Sequence, residues 1–353
     1  MSAAADERGV IVTGTDQHQA WQRRVLPPVE RVRPDVWSIP VPIPDNPLRY
    51  TLSYLFLDDA GALLVDPGWD TAEGRAALTS GARAAGADLA DITGIVVTHI
   101  HPDHHGLSGW LRERTGAWIG MHPAEARTLP ARSWRGRDPG TDRAWLLRHG
   151  APEAEAEALA ISPERLGELL HMAEPDRAIE DGDRLPLARH ELRAVWTPGH
   201  TPGHLCLHES GAGVLLTGDH LLPRISPNIT VHAASAGNPL GDYLASLGLT
   251  GKFGAEEALP AHEYRFRGLD TRAADLVRHH DERGGEILRA IDALGAPSAW
   301  AVAAAITWSR GWDALVGMLR RMALGETLAH LEHLAAIGAV QASEDALVRW
   351  RRA

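Results

Sequence analysis

Cysteine is almost missing from this sequence: Cys206 is the only one in 353 residues. A single cysteine excludes an intramolecular disulfide, and such sparing use is typical of a reducing compartment. Cys206 lies between two leucines in an apolar run that has a strand pattern. We therefore predict a buried, unreactive thiol rather than a nucleophile.

Long apolar runs and a surplus of positive charge are also missing. No run approaches the length of about 18 apolar residues that a membrane-spanning helix needs, and residues 1–9 lack the apolar segment of a signal peptide. The formal net charge of −11 disfavours binding to nucleic acid or to anionic lipid. These absences predict a cytoplasmic protein whose partner is neither a membrane nor a nucleic acid.

What is present is the composition of an ordinary globular protein, with 44% hydrophobic and 23% charged residues. The length allows two domains, or one large domain with an addition. Residues 1–20 are polar and unpatterned, so we expect a loose N-terminal arm over residues 1–30. We expect a main domain over residues 31–275 and a separate C-terminal module over residues 276–353.

Strands and helices alternate along the main domain. Apolar runs with strand character lie on both sides of a helical pattern over residues 71–85, and they return after residue 175. The predicted strands cover residues 36–39, 50–57, 62–65, 95–97, 117–121, 176–179, 191–197, 204–208 and 214–217. This order favours an α/β fold in which two stacked sheets carry helices on their outer faces.

Two segments extend this pattern. Residues 123–175 have helical spacing and a helix start at Ser162-Pro163, and they predict a helical insertion over the site. Near the C-terminus, apolar residues recur with the period of a helix from Leu324 up to Gly338, and a hairpin follows. Three helices and a hairpin predict a winged-helix-like module. Residues 281–353 contain eight arginines and nine acidic residues, whereas a winged helix that binds nucleic acid is normally basic. We therefore expect this module to serve packing or homodimer formation.

The most informative stretch is Thr98-His99-Ile100-His101-Pro102-Asp103-His104-His105-Gly106, which links a predicted buried strand to a helix. His99 and His101 occupy alternate positions of an extended segment and point the same way, so they can bind one metal ion together. Asp103 and His104 follow a proline, face another direction and could bind a second ion. Imidazole and carboxylate groups at this density predict a metal site.

Three further stretches place an imidazole or a carboxylate directly after an apolar run. These are residues 197–204 with His200, residues 217–220 with Asp219, and residues 260–263 with His262. Side chains at the ends of strands commonly carry function, because the sheet holds the loops rigidly. We therefore expect these side chains to belong to the same site.

With these four stretches, the chain resembles the metallo-β-lactamase fold superfamily of dinuclear zinc hydrolases. The resemblance rests on T-H-I-H-P-D-H-H-G at 98–106, T-P-G-H at 197–200, T-G-D at 217–219 and P-A-H at 260–262. It implies a four-layer αββα sandwich, and it is similar to the glyoxalase II-like subgroup with an appended winged helix. The family commonly has glycine on both sides of the last histidine, whereas this chain has Ala261 and Glu263.

The resemblance also implies seven metal ligands in two groups with one shared carboxylate, and a supporting aspartate behind them. The implied ligands are His99, His101 and His200 for the first zinc ion, Asp103, His104 and His262 for the second, and Asp219 for both. The supporting residue is Asp66, in Val65-Asp66-Pro67-Gly68.

In chemical terms, the resemblance implies that two zinc ions, for which iron or manganese could substitute, hold a hydroxide that attacks a carbonyl or phosphoryl centre. Asp103 would orient this nucleophile or pass its proton to the leaving group. The expected reaction is hydrolysis of a carbonyl ester, first a thioester of acyl-CoA, acyl-carrier or glutathione type, and next a lactone. A metal-dependent endoribonuclease of the same fold and a metal-sensing regulatory protein are the alternatives.

The insertion carries a local excess of positive charge, with six arginines and three acidic residues over 123–150. Such a patch favours an anionic carrier such as coenzyme A, although a solvated helix face explains it equally well. The remaining histidines predict supporting or surface positions. These are His105, His204, His208 and His220 beside the ligands, and His279 and His280 on a helix far from the motifs. The three-residue spacing of His330 and His333 could bind a metal ion, but it favours a solvated helix face.

Overall fold

The structure is a computed structural model that describes residues 8–129, 138, 140–161 and 172–353. The helix start expected at Ser162-Pro163 lies outside the described residues, as do residues 130–137 of the expected insertion. In the described part, two large sheets and the helices around them hold the site.

The first sheet has seven strands, which lie side by side in chain order. They are β2 (Glu30–Arg33), β3 (Val36–Pro42), β4 (Tyr50–Asp58), β5 (Gly61–Val65), β6 (Ile92–Val96), β7 (Trp118–Met121) and β8 (Arg177–Ala178). Strands β2 to β5 pair antiparallel, and β5 to β8 pair in parallel. The turn expected over residues 58–61 joins β4 to β5, where Gly61 has a φ of +122°.

The second sheet has six strands in the order β1-β13-β12-β11-β10-β9. They are β1 (Ile11–Val12), β9 (Leu192–Trp196), β10 (Leu205–Glu209), β11 (Val214–Gly218), β12 (Glu257–Pro260) and β13 (Phe266–Arg267). Strands β11 and β12 pair in parallel, and all other neighbours pair antiparallel. The C-terminal hairpin consists of β14 (Val340–Ala342) and β15 (Trp350–Arg352).

Eleven α-helices lie in the described residues. They are α1 (Thr15–Arg23), α2 (Ala72–Ala84), α3 (Pro102–His105), α4 (Ser108–Thr115), α5 (Pro123–Thr128), α6 (Thr141–Arg148), α7 (Glu153–Leu159), α8 (Pro239–Leu247), α9 (Leu269–Leu294), α10 (Ala299–Ala305) and α11 (Met318–Ala336). None of these helices alone is long and apolar enough to cross a membrane. Only α9 and α10 taken together are long and apolar enough, and the chain bends by 110° between them.

The two sheets stack on each other through an apolar core. Alternation along β10 shows how the layers form: Leu205 and Leu207 face the first sheet and pack with Tyr54 and Val96, whereas Cys206 faces the helices on the other side. Cys206 is fully buried, and burial raises the pKa of its thiol to about 12. This confirms the buried position predicted for it.

The outer face of each sheet is covered by helices. Helices α2 and α4 bury Leu78 and Leu111 against the first sheet. Helices α8, α9 and α11 bury Tyr243, Leu276 and Leu328 against the second. Helix, sheet, sheet and helix thus form four layers, which confirms the αββα sandwich expected from the sequence.

The N-terminal segment is part of the fold from residue 8 onward, so the loose arm expected over residues 1–30 was wrong for its described part. Strand β1 extends the second sheet through its pairing with β13. In α1, the fully buried Gln17 accepts a hydrogen bond of 3.0 Å from the backbone N–H of Arg265, 248 positions away. Contacts over such a distance along the chain leave no local apolar pattern to detect.

The C-terminal module contains the expected elements, α9, α10, α11 and the β14–β15 hairpin, and Gly338 follows α11 with a φ of +75°. However, the domain boundary expected between residues 275 and 276 falls inside α9, which runs unbroken from Leu269 to Leu294. The module also contacts the insertion, because Arg321 of α11 forms two buried hydrogen bonds with Asp142 of α6, of 2.7 and 2.8 Å. Its interpretation as a winged helix stays a prediction.

Candidate metal centre

The candidate ligands lie in loops that follow strands of both sheets. The segment after β6 carries His99 and His101 in a loop and Asp103 and His104 in α3; the loops after β9, β11 and β12 carry His200, Asp219 and His262. Because the sheets are stacked, these strand ends meet at one edge of the sandwich. The structure brings all seven predicted ligands together there, in three overlapping groups whose ligand atoms lie within 4.8 Å of one another.

The first cluster consists of His99, His101 and His200. The Nδ1 atom of His101 lies 3.0 Å from Nε2 of His99 and 3.2 Å from Nε2 of His200. Burial lowers the pKa of His99 well below its usual value and that of His101 to about 3. Three neutral imidazole nitrogens at this spacing are ligands of the kind that a zinc site uses.

The second cluster consists of Asp103, His104 and His262. Helix α3 begins with Pro102 at its first position and carries Asp103 and His104 in its single turn. The Oδ2 atom of Asp103 lies 3.4 Å from Nε2 of His262 and 3.7 Å from Nε2 of His104. His262 was the ligand whose flanking residues departed from the family pattern, and it is fully buried in this cluster.

Asp219 lies between the two clusters and turns one oxygen to each. Its Oδ1 atom is 3.2 Å from Nε2 of His262 and 3.5 Å from Nε2 of His104, while Oδ2 is 3.7 Å from Nε2 of His200. The register between β11 and β12 shifts just before it, and Gly218 has a φ of +48°. A side chain at Gly218 would meet His204 at 2.6 Å, so this turn requires glycine.

The outward nitrogens of the ligands are hydrogen-bonded to the protein. Nδ1 of His200 donates to the carbonyl of Asn228 and Nδ1 of His262 donates to the carbonyl of Tyr50, each at 2.9 Å. Such bonds fix the tautomer and orientation of a ligating imidazole. Nε2 is therefore the ring nitrogen that His200 and His262 turn toward the centre.

Asp66 supports the centre from behind, at the position where the sequence predicted it. Its carboxylate accepts hydrogen bonds from the backbone and the hydroxyl of Thr98, at 2.8 and 2.7 Å, and from Nδ1 of His104 at 2.8 Å. Asp66 thus joins the end of β5 to the ligand loop after β6. It orients His104 without belonging to either cluster.

The electrostatics of the second cluster favour a cation. Burial lowers the pKa of His104, but the carboxylates of Asp103, Asp219 and Asp66 outweigh it and raise that pKa to about 10. Nε2 of His104, Nε2 of His262 and Oδ1 of Asp219 are buried and have no hydrogen-bond partner. Buried polar atoms are rarely left unpaired. A divalent cation would satisfy all three, so the residues present fit the metal that this donor set implies.

Glu125 is a buried carboxylate next to the first cluster, and sequence reasoning missed it. It accepts hydrogen bonds of 2.8 Å from the backbone N–H groups of Ile100 and Gly203, and burial raises its pKa to about 7. In the sequence it is one of many glutamates in a helical segment. Its only local signal is its place three residues after His122, at the start of α5.

The histidines expected outside the centre fall into two groups. His105, His204 and His220 are buried beside the ligands, where the predicted supporting positions lie, and His208 is half-buried. His330, however, does not lie on a solvated helix face: it is buried, and its Nε2 atom lies 3.1 Å from Nδ1 of His280, which is buried as well. This expectation was wrong because α9 and α11 bury these faces against each other.

Two solved structures are similar to this chain over nearly its full length. A metallo-beta-lactamase family protein from Thermus thermophilus is 33% identical with a TM-score of 0.76, over 92% of this chain and 100% of that one. A beta-lactamase domain protein from Burkholderia ambifaria is 30% identical with a TM-score of 0.79, over 92% of this chain and 94% of that one.

Curated relatives and a family model match the region that contains the centre. Lactamase-like protein adaB from Aspergillus niger is 26% identical over 76% of this chain and 67% of its own length. The probable metallo-hydrolase YqjP from Bacillus subtilis is 28% identical over 70% of this chain and 81% of its own length. The model of the metallo-beta-lactamase superfamily matches residues 46–262, which include every predicted ligand. This chain therefore belongs to the metallo-β-lactamase superfamily and is a metal-dependent hydrolase.

Proposed function

We propose that this protein is a dinuclear zinc hydrolase of carbonyl esters, with a thioester as its first expected substrate and a lactone as the next. The observation that carries the proposal is the position of Asp219, whose two oxygens face ligands of two different clusters. A single ion would need only one cluster, and a carboxylate between two clusters would then have no role. His99, His101 and His200 would hold one ion, and Asp103, His104 and His262 the other.

Bound zinc would supply a water molecule that ionises near neutral pH and positive charge to stabilise the oxyanion of the transition state. The protein itself supplies a proton acceptor. Asp103 keeps 11% of its side chain accessible, whereas the side chains of His104 and His262 are inaccessible. The side chain of Asp219 is 10% accessible, but its two oxygens face both clusters. A bond from the Thr51 hydroxyl to the backbone carbonyl of Asp103 fixes this turn. Asp103 is thus placed to take a proton and return it to the leaving atom.

Charge supports a small or carrier-bound ester over RNA. The chain has a net charge of −11, and the C-terminal module has no excess of basic residues. The positive patch of the insertion is smaller than its sequence suggested, because Arg143 is paired with Glu153 and Glu157 of α7 at 2.6 and 2.9 Å. Arg127 and Arg148 are exposed and remain candidates for an anionic carrier such as coenzyme A.

The test is a hydrolysis screen with acyl-CoA, acyl-glutathione, lactone and single-stranded RNA substrates, with metal content measured on the same sample. The proposal expects two zinc ions per chain and turnover of a thioester that stops on chelation and in His101→Ala. The variant His208→Ala, outside both clusters, should keep full activity. Turnover by metal-free protein would refute the metal-dependent mechanism. Cleavage of RNA without cleavage of any ester would show that the substrate is RNA and not an ester.

A further inference from the structure

The starting observation is that one buried side chain bridges two ligand loops. Glu125 is fully buried on α5, and its two carboxylate oxygens go to different loops. Oε1 accepts the backbone N–H of Ile100, and Oε2 accepts the backbone N–H of Gly203, each at 2.8 Å. The first loop follows β6 of the first sheet, and the second follows β9 of the second sheet.

The two N–H groups lie next to ligands of the first cluster. Ile100 stands between His99 and His101, and Gly203 follows His200 by three residues in the same tight loop. Both hydrogen bonds therefore act on the loops that bring His101 and His200 to 3.2 Å from each other. Asp103, His104 and His262 are supported by other groups, among them Asp66 and the carbonyl of Tyr50.

The close fit around Glu125 requires both the carboxylate and a glycine. A Cβ atom at Gly203 would lie 2.2 Å from the backbone nitrogen of Glu125 and 2.5 Å from its Cβ, so only glycine allows the loop to approach α5. A buried carboxylate is costly unless its oxygens are hydrogen-bonded. The amide of glutamine offers one acceptor oxygen and an NH2 group that only donates, so one of the two backbone N–H groups would face another N–H.

We propose that Glu125 is a positioning residue that sets the spacing of His101 and His200, and so sets the metal affinity of the first cluster and not that of the second. This inference rests on the proposed function in one respect, namely that the two clusters bind two ions. Glu125 does not touch the substrate or the ions. It acts through the backbone of the two loops, and side chains that orient ligands in this way change metal affinity about 10- to 100-fold.

The experiment compares Glu125→Gln with Glu209→Gln by competition titration of zinc against a chromophoric chelator. Glu209 is a matched control, because it is also a buried glutamate whose two oxygens accept the backbone N–H groups of Glu191 and Ala212. We expect one of the two zinc affinities of Glu125→Gln to fall about 10- to 100-fold. Both affinities of Glu209→Gln should stay at the wild-type values.

Double variants identify the site that is weakened. In His262→Ala the first cluster remains, and Glu125→Gln should weaken its binding further; in His200→Ala the second cluster remains, and Glu125→Gln should leave it unchanged. Equal loss in both backgrounds, or loss in neither, overturns the inference. If wild-type protein binds no zinc at all, the proposed function fails instead, so the two failures are distinguishable.

Folding defects are separated from positioning by two further measurements. The unfolding midpoint of each metal-free variant reports stability, and Glu125→Gln and Glu209→Gln should be destabilised to a similar extent. If Glu125→Gln does not fold, Glu125→Asp serves in its place, because it keeps the charge but is too short to reach both loops. It should lose first-cluster affinity and keep second-cluster affinity. A folded Glu125→Asp with wild-type affinities would contradict the proposal.

Discussion

Nδ1 of His101 lies 3.2 Å from Nε2 of His200, although the two residues are 99 positions apart in the chain. His101 follows a strand of the first sheet and His200 follows a strand of the second. The candidate metal centre therefore forms only where the two sheets stack, and neither half of the sandwich contains a complete cluster. Metal binding should report directly on the integrity of this stacking.

Removal of one ligand from either cluster should remove one ion. In His262→Ala and in His200→Ala we expect zinc content to fall from two ions per chain to one, because each cluster loses one of its three own ligands. Turnover should fall at least about 100-fold, since both ions act on one transition state. Metal analysis of dialysed protein and steady-state kinetics check this, with His208→Ala as the control. Two ions retained in either variant would contradict the ligand assignment.

Asp66→Asn should weaken the second cluster. The amide keeps only one acceptor oxygen, so it cannot serve both Thr98 and Nδ1 of His104. We expect zinc affinity at the second cluster to fall about 10- to 100-fold, with a smaller effect on the first. Asp58→Asn is a suitable comparison, because Asp58 also accepts two backbone N–H groups but lies at the surface. Equal affinities in the two variants would exclude the supporting role.

Zinc should stabilise the folded protein. His104, His262 and Asp219 each bury an atom that has no hydrogen-bond partner, and a bound cation would remove that penalty. At zinc concentrations one hundred times the dissociation constant, each site should add about 2.7 kcal/mol to the free energy of unfolding. Thermal unfolding with zinc and with chelator measures this. A melting temperature that does not respond to zinc in wild-type protein would argue against a built metal site.

The buried pair of Arg321 and Asp142 should couple the insertion to the C-terminal module. Replacing Arg321 by Met leaves the Asp142 carboxylate buried without its cation, and we expect a loss of about 3–5 kcal/mol in the free energy of unfolding. Adding Asp142→Leu should recover part of this loss, because no unpaired charge remains. Denaturant unfolding of the single and double variants tests the coupling. Additive losses would show that the pair does not interact.

Glu332 on α11 should make stability depend on pH. Burial raises the pKa of its carboxyl from 4.5 to about 7, so the folded state favours the protonated form. The stability that this proton provides is complete below pH 4.5 and is lost as the pH rises to about 7. Relative to wild type, Glu332→Gln should therefore gain stability with rising pH, by about 1 kcal/mol after allowance for partial exposure.

The measurement for Glu332 is the melting temperature at pH 5 and at pH 8. The exposed Glu344 offers a control, and Glu344→Gln should follow the wild-type curve at both values. A difference between Glu332→Gln and wild type that does not change with pH would show that the carboxyl does not titrate in this range.

Several features could be predicted from the sequence because their causes are local. The strands β4, β5 and β6 follow from apolar runs and their turns, and Cys206 follows from its place between two leucines. The candidate ligands are recognisable because His99, His101, Asp103 and His104 lie within six residues, at the spacing of a metal-binding motif. The ends of α2 and of α11 fall within a few residues of the predicted positions.

Other features were decided by the tertiary structure alone. Glu125, the His280–His330 pair and the docking of α1 have no local signature, since each depends on a partner between 25 and 248 positions away. A hydrogen bond from a side chain to a distant backbone N–H imposes no periodicity on either segment. The sequence thus determined which groups can bind metal, and the stacking of the two sheets decided how they are held.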